Sequence, residues 1–148
     1  MKRAAHDGPF GRITLTEEDG RITRLSFGGE GHDASPLLDE ARRQLDRYYA
    51  DASGFDLPLD LGTGTQAAFS AALLAIPVGE TRTYGELGRS LGLPAQAIGQ
   101  HCGANRIPIL IPCHRVLGAH GLGGFSAPGG IETKVALLKH EGAAGLLI

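Results

Sequence analysis

Two prolines enclose a run of branched apolar residues in the segment Ile107-Pro108-Ile109-Leu110-Ile111-Pro112-Cys113-His114-Arg115-Val116. Proline fixes its own φ and disfavours helical geometry in the residue before it. The segment is therefore excluded from the interior of a helix, and we expect the chain to enter Cys113 extended and stiff. A free thiol with a pKa of about 8.5 is only slightly ionised at neutral pH, and a neighbouring imidazole or arginine increases the thiolate fraction. The adjacent His114 and Arg115 therefore make Cys113 a candidate nucleophile, with a small buried hydrophobe as the alternative.

The first part of the chain predicts a small unit of strands and one helix. Residues 12–16 and 21–27 are β-prone and are separated by Glu17-Glu18-Asp19-Gly20, in which the Asp-Gly pair favours a tight hairpin turn. Ser35 and Pro36 suit the N-cap and the first position of a helix that continues to Tyr49. Its buried face is predicted from the spacing of Leu37, Ala41, Leu45 and Tyr48.

The remainder of the chain is predicted to be mainly helical. Helices are expected at 65–75, 84–91, 94–103 and 131–141, the second of them opened by the capping-box pair Thr83 and Glu86. The middle two helices and their Gly-Leu-Pro connection match a helix-turn-helix, whose second helix would face a DNA groove. Residues 118–130 contain six glycines, which suits a loop or wing closing over a ligand.

These elements predict an α+β protein of two domains, residues 1–62 and 63–148. Their formal charges differ: residues 1–60 contain eight Lys or Arg and twelve Asp or Glu, whereas residues 82–115 contain four arginines and one glutamate. The positive charge of the second segment favours binding of a polyanion, although four arginines on a surface are also explained by simple exposure to solvent. No apolar run is long enough to span a bilayer or resembles a signal peptide, so no membrane association and a cytoplasmic location are expected. Both cysteines are expected to be free thiols.

The string Pro112-Cys113-His114-Arg115-Val116, with Asn105 eight residues before the cysteine, resembles the active-site signature of O6-alkylguanine-DNA alkyltransferases. Further parts of the similarity are Ile76-Pro77, Thr83-Tyr84-Gly85-Glu86-Leu87, Gly123-Gly124-Phe125-Ser126 and Leu137-Leu138-Lys139-His140-Glu141-Gly142. The resemblance covers residues 63–142, and the N-terminal unit fits the family's smaller domain more loosely. It implies direct, irreversible transfer of an alkyl group from O6-alkylguanine in double-stranded DNA to Cys113, by a monomer that needs neither a metal nor another cofactor.

The resemblance also implies catalytic roles. His114, a water molecule and Glu141 form the relay that deprotonates Cys113, Tyr84 donates to guanine N3, and Asn105 holds the turn around the site. Glu141 is additionally unusual because an acid in the last turn opposes the helix dipole, a cost that a hydrogen bond to His114 would explain.

Other positions are implied to contact the substrate or the duplex. The Val116 carbonyl and the Ser126 N–H are expected to contact the flipped base, and Pro108 and Phe125 to line its pocket. The residues expected to contact DNA are Arg89, Gln96, Ala97, Arg106 and Arg115.

Two positions depart from the family pattern. Gln96 stands where the family usually has the arginine that replaces the extruded nucleotide, and it brings no positive charge. Phe125 stands where a tyrosine is frequent, so a ring is present without its hydroxyl.

Three other interpretations of the sequence remain open. The chain could bind alkylated bases without transfer, or act as a regulator through its helix-turn-helix alone. It could also be a zinc-stabilised DNA-binding module that uses His101, Cys102, Cys113 and His114, although adjacent ligand pairs lack the usual zinc-site spacing. The sequence does not distinguish methyl from larger alkyl groups, or guanine from O4-alkylthymine.

Overall fold

The structure, a computed structural model, describes residues 1–118, 121–123, 125 and 128–143. Two compact units divide the chain, Met1–Asp60 and Leu61–Ile148. The first consists of a sheet and one helix, and the second is mainly helical, which confirms the predicted α+β class. None of the described helices is long and apolar enough to cross a membrane.

The first unit is a three-stranded antiparallel sheet with one helix packed on it. Its elements are β1 (Lys2–His6), β2 (Ile13–Glu18), β3 (Arg21–Phe27) and α1 (Pro36–Asp51), with the strands in the order β1-β2-β3. The predicted hairpin is confirmed as β2 and β3, and both Asp19 and Gly20 adopt positive φ in its turn. Strand β1 was not predicted, because its sequence Lys-Arg-Ala-Ala-His is poor in β-branched and aromatic residues.

Helix α1 begins and packs largely as predicted. The Ser35 hydroxyl accepts a hydrogen bond from the Leu38 N–H at 2.9 Å, and Pro36 occupies the first turn. Its buried face includes Leu38, Ala41, Leu45 and Tyr48, so Leu38 takes the core position that was predicted for Leu37.

Within its described residues, the second unit contains four α-helices and two very short strands. Its elements are α2 (Gly64–Leu74), β4 (Arg82–Thr83), α3 (Tyr84–Leu91), α4 (Ala95–Gly103), a 3₁₀ turn (Cys113–Arg115), β5 (Val116–Leu117) and α5 (Ile131–His140). All four predicted helices are present with ends shifted by one or a few residues. In α2, Phe69 and Leu73 are buried, whereas Leu74 is exposed.

Helices α3 and α4 form the predicted helix-turn-helix. The capping box is complete, since the Glu86 N–H donates to the Thr83 hydroxyl at 3.1 Å and the Thr83 N–H donates to the Glu86 carboxylate at 3.0 Å. Gly88 allows the close turn, because a Cβ there would overlap the carbonyl oxygen of Leu93. Of the predicted glycine-rich wing, residues 119, 120, 124, 126 and 127 lie outside the described residues, and Gly118 and Gly121 form an antiparallel bridge.

Candidate active site

The segment before Cys113 is a pair of tight turns organised by one asparagine. The Asn105 side chain accepts from the Ile107 N–H at 3.0 Å and donates to the Ile111 carbonyl at 2.9 Å. The Ile111 N–H also donates to the Ile107 carbonyl at 2.8 Å. The expected extended entry to Cys113 is therefore wrong, because each proline restricts only itself and the residue before it and leaves Ile109 free to turn.

Ile109 lies at the most strained point of this segment. Its φ of 72° is in the left-handed region, where a β-branched residue is an outlier. Such a conformation costs on the order of 1–3 kcal/mol and persists only where the surroundings impose it. Here the Asn105 bridge and the burial of the Ile109 side chain impose it.

Cys113 begins the 3₁₀ turn and is almost completely buried, with 5% of its surface exposed. Burial raises the pKa of its thiol, while a hydrogen bond from Asn105 and the positive charge of Lys134 lower it. Burial has the larger effect, so the resting protein holds Cys113 as a neutral thiol. The expectation that neighbouring cations leave the resting cysteine more ionised is therefore wrong, because desolvation outweighs them.

A two-residue parallel pairing brings Tyr84 and Cys113 into one region. Strand β4 ends immediately before Tyr84, and its partner β5 follows directly after the 3₁₀ turn, with Arg82 opposite Val116. Gly123 adopts a φ of 71°, and a Cβ there would lie 2.6 Å from the Tyr84 hydroxyl oxygen. The glycine-rich segment therefore approaches Tyr84 where only glycine leaves room for the phenol.

The predicted contact between His114 and Glu141 is confirmed. His114 Nε2 lies 2.7 Å from Glu141 Oε2, and both side chains are fully buried. Because an ionised carboxylate only accepts hydrogen bonds, Nε2 is the protonated ring nitrogen and Nδ1 has the free lone pair. Nδ1 is buried and has no hydrogen-bond partner among the described residues. Burial also lowers the pKa of His114, so the ring is neutral at pH 7 and can accept a proton at Nδ1.

Arg115 takes part in the same buried network. Its Nε donates to Glu141 Oε1 at 2.8 Å, its Nη2 to Glu141 Oε2 at 3.2 Å, and its Nη1 to the Ile76 carbonyl at 2.8 Å. Only 6% of its surface is exposed. Its expected contact with DNA is therefore corrected: the guanidinium lies in the interior and is already bound to Glu141.

Lys134 is a buried cation that the sequence analysis missed. It is 1% exposed, and its Nζ donates to the carbonyls of Val116 at 2.7 Å and Leu122 at 2.5 Å. The Val116 carbonyl, expected to receive the base's exocyclic amine, thus already accepts one hydrogen bond. The helical spacing could have revealed Lys134, because it lies four residues before the inward Leu138. Val135, the next residue on α5, is only half-buried.

The remaining residues predicted to line the pocket or to contact DNA differ in how far they are exposed. Pro108 and Phe125 are half-buried, and Ser126 lies outside the described residues. Arg89, Gln96 and Arg106 are exposed, and Ala97 is half-buried on α4. Three of the five predicted DNA contacts are thus on the surface.

The zinc interpretation has no support in this geometry. Among the described residues, which include His101, Cys102, Cys113 and His114, no three or more His, Cys, Asp or Glu side chains form a group able to hold a metal ion. His101 instead pairs its Nδ1 with the Gln66 side-chain oxygen at 2.5 Å. Both cysteines are free thiols.

Two family models match the chain. Residues 64–143 match the DNA-binding domain of 6-O-methylguanine DNA methyltransferase, and residues 1–61 match the ribonuclease-like domain of the same family. The chain belongs to the 6-O-methylguanine DNA methyltransferase family.

Individual members of this family show the same similarity over most of their length. The methylated-DNA–protein-cysteine methyltransferase of Methanosarcina acetivorans is 45% identical, covering 97% of this chain and 99% of the relative. The one from Mycobacterium tuberculosis is 40% identical, covering 91% of this chain and 88% of the relative. The crystal structure of Mycobacterium tuberculosis OGT in complex with DNA superposes with a TM-score of 0.84 at 38% identity, covering 97% of this chain and 94% of the other.

Proposed function

We propose that this chain repairs DNA by transferring the alkyl group of O6-alkylguanine irreversibly to Cys113. The observation that supports this assignment most strongly is the buried Cys113, followed directly by a histidine that pairs with Glu141 at 2.7 Å. The chain's membership in the 6-O-methylguanine DNA methyltransferase family, together with the DNA bound in the Mycobacterium tuberculosis structure, supports the substrate class.

The reaction follows from the protonation states of the buried groups. The Cys113 proton moves to His114 Nδ1 through a water molecule, and Glu141 stabilises the imidazolium at Nε2. The thiolate then attacks the alkyl carbon, so that a sulfur–carbon bond forms as the carbon–O6 bond breaks. Guanine leaves with the bonding electron pair, and a hydrogen bond from Tyr84 to N3 stabilises its negative charge.

Arg115 and Lys134 assist the reaction by acting on Glu141 and Cys113, respectively. The two hydrogen bonds from Arg115 fix the orientation of Glu141 and help to keep it ionised in the interior. Lys134 lowers the pKa of the Cys113 thiol and links β5 to Leu122 of the glycine-rich segment. Asn105 maintains the turn that places Cys113 at the end of its segment.

DNA is bound through the helix-turn-helix, with α4 facing the groove. A base within the stack hides its O6 substituent, so the damaged nucleotide must rotate out of the duplex into a pocket beside Cys113. Gln96 on α4, with Ala97 beside it, is the residue proposed to fill the gap left in the stack, and the exposed Arg89 and Arg106 are proposed to contact phosphates. Val116, Pro108, Phe125 and Ser126 are the proposed contacts of the extruded base.

The transfer is stoichiometric. A thioether is chemically stable, and no group proposed for the site could remove the alkyl group again, so each molecule reacts once.

We assign transfer to residues 63–148, with residues 1–62 as a separate N-terminal domain. The protein is proposed to act in the cytoplasm as a monomer without metal or organic cofactor.

Mass spectrometry of the intact protein tests the proposal directly. After exposure to an O6-methylguanine duplex, and separately to O6-benzylguanine as a free base, we expect one alkyl adduct, located on Cys113. Cys113→Ala should abolish the adduct, whereas Cys102→Ala should retain it. An unmodified thiol in a protein that still binds the damaged duplex would instead identify a protein that only binds alkylated bases. Repeated turnover would contradict the stoichiometric mechanism.

A further inference from the structure

The sheet of the first unit has one face that is not part of the α1 core. In the register of the strands, Arg3 lies opposite Thr16, which lies opposite Arg24. Because side chains alternate between the two faces of a sheet, these three share one face, while Leu15 and Leu25 lie on the other and are buried. Two arginines therefore flank a threonine in one row across the three strands.

A cavity of about 200 Å³ lies over this row. Its floor includes Thr14, Thr16 and Ser26, and its lining includes both arginines. One side is closed by the chain that leaves β3, where the Thr14 hydroxyl donates to the Gly28 carbonyl at 2.6 Å and the cavity is lined by Gly29.

Apart from Thr14, whose hydroxyl donates to the Gly28 carbonyl, the polar side chains on the sheet face of this cavity make no hydrogen bond or ion pair within the described residues. No carboxylate among those residues lies within 4.0 Å of the Arg3 or the Arg24 guanidinium, although Glu30 also lines the cavity. Four other arginines of the first unit do have such a partner: Arg12, Arg21, Arg42 and Arg43. The Thr16 side chain, on a residue only 6% exposed, makes no hydrogen bond in the described part of the chain.

We infer that this cavity binds a phosphate group. Arg3 and Arg24 each lie directly opposite Thr16, and opposed residues of neighbouring strands have Cβ atoms about 5 Å apart. The two arginine Cβ atoms are therefore roughly 10 Å apart, and their long side chains can approach one small anion above Thr16 from opposite sides. Guanidinium groups present forked donors that match the oxygens of phosphate, and the hydroxyls of Thr16 and Ser26 add donors from the floor. The oxygens of a tetrahedral oxyanion can face both guanidinium groups and the hydroxyls of the floor at the same time, whereas the two oxygens of a planar carboxylate cannot.

The phosphate group has two possible sources, a free phosphate ion and the phosphodiester backbone of DNA. Binding is measured on the full chain by following backbone amide NMR shifts during addition of sodium phosphate, with sodium chloride at matched ionic strength as the blank. In parallel, the affinity for an unmodified DNA duplex is measured at several salt concentrations.

The test variant is Arg3→Gln combined with Arg24→Gln. Its matched control is Arg42→Gln combined with Arg43→Gln, which removes the same charge from the same unit at two arginines that are ion-paired on α1. Thr16→Val is a third variant, which removes one hydroxyl without changing the charge. It keeps the inference testable if the double variant fails to fold.

If the site takes free phosphate, the shifts should cluster at residues 14–16 and 24–30. The affinity should then fall at least tenfold in the test variant and should be weakened in Thr16→Val, but not in the control. If the site takes the DNA backbone, the test variant should instead lose duplex affinity, with a salt dependence shallower by up to about two counterions. The inference is overturned if neither ligand distinguishes the test variant from the control.

Discussion

Replacing Glu141 by Gln tests the relay most directly, because this buried carboxylate accepts three hydrogen bonds from two of the described residues, His114 and Arg115. One comes from His114 at 2.7 Å and two come from Arg115 at 2.8 and 3.2 Å. Glutamine has nearly the same shape, but its amide nitrogen is a donor. It would therefore oppose at least one of these N–H groups, and it cannot balance the imidazolium that forms during transfer.

The size of the kinetic effect follows from the lost contact. A hydrogen bond to a charged group contributes about 1.5–3 kcal/mol. If that contribution is lost when His114 becomes protonated, the rate constant for transfer falls roughly 10- to 150-fold. Stability should fall as well, by up to about 3–5 kcal/mol, because Arg115 would remain buried without its counter-charge.

The assay is single-turnover transfer from a saturating O6-methylguanine duplex at a temperature at which the variant is folded, as judged by its thermal unfolding curve. Duplex affinity is measured on the same preparation and should change much less than the rate constant. Glu132→Gln is the matched control, because Glu132 is an exposed acid in the first turn of the same helix. An unchanged rate constant for Glu141→Gln, or a loss of affinity as large as the loss of rate, would refute the proposed role of the carboxylate.

Three further predictions concern charge. Gln96→Arg should raise the rate on duplex DNA and steepen its salt dependence by up to about one counterion, while barely changing the rate with free O6-benzylguanine; equal acceleration of both substrates would mean that residue 96 does not fill the stack. Lys134→Met should raise the pKa of the Cys113 thiol further, because a nearby positive charge is lost, and slow transfer at neutral pH about tenfold, unlike Lys139→Met on the exposed side of α5. With free O6-benzylguanine the rate should still be rising at pH 8.5, because burial raises the pKa of the thiol, and a plateau reached below pH 8 would contradict this assignment.

The sequence determined the local structure and the chemistry of the site. Ser35 with Pro36, and Thr83 with Glu86, marked helix starts correctly, because a cap depends on residues at most three positions apart. The string from Pro112 to Val116 was sufficient to indicate the family. The contact between His114 and Glu141 was also predicted, because the family resemblance implies it and an acid at a helix C-terminus needs a compensating partner.

Only the tertiary structure determined which buried groups compensate each other. Arg115 appeared to be a surface cation in the sequence, and its ion pair with Glu141 depends on packing between residues 26 positions apart. The same holds for Lys134, which is buried because the carbonyls of Val116 and Leu122 satisfy its ammonium group. Strand β1 forms by backbone pairing with the next strand, β2, although its own side chains do not favour a strand, and β4 pairs with β5, which lies much further along the chain. Sequence patterns predict interactions between residues that are close in the chain. The desolvation that raises the pKa of Cys113 depends instead on all the residues packed around it, including distant ones.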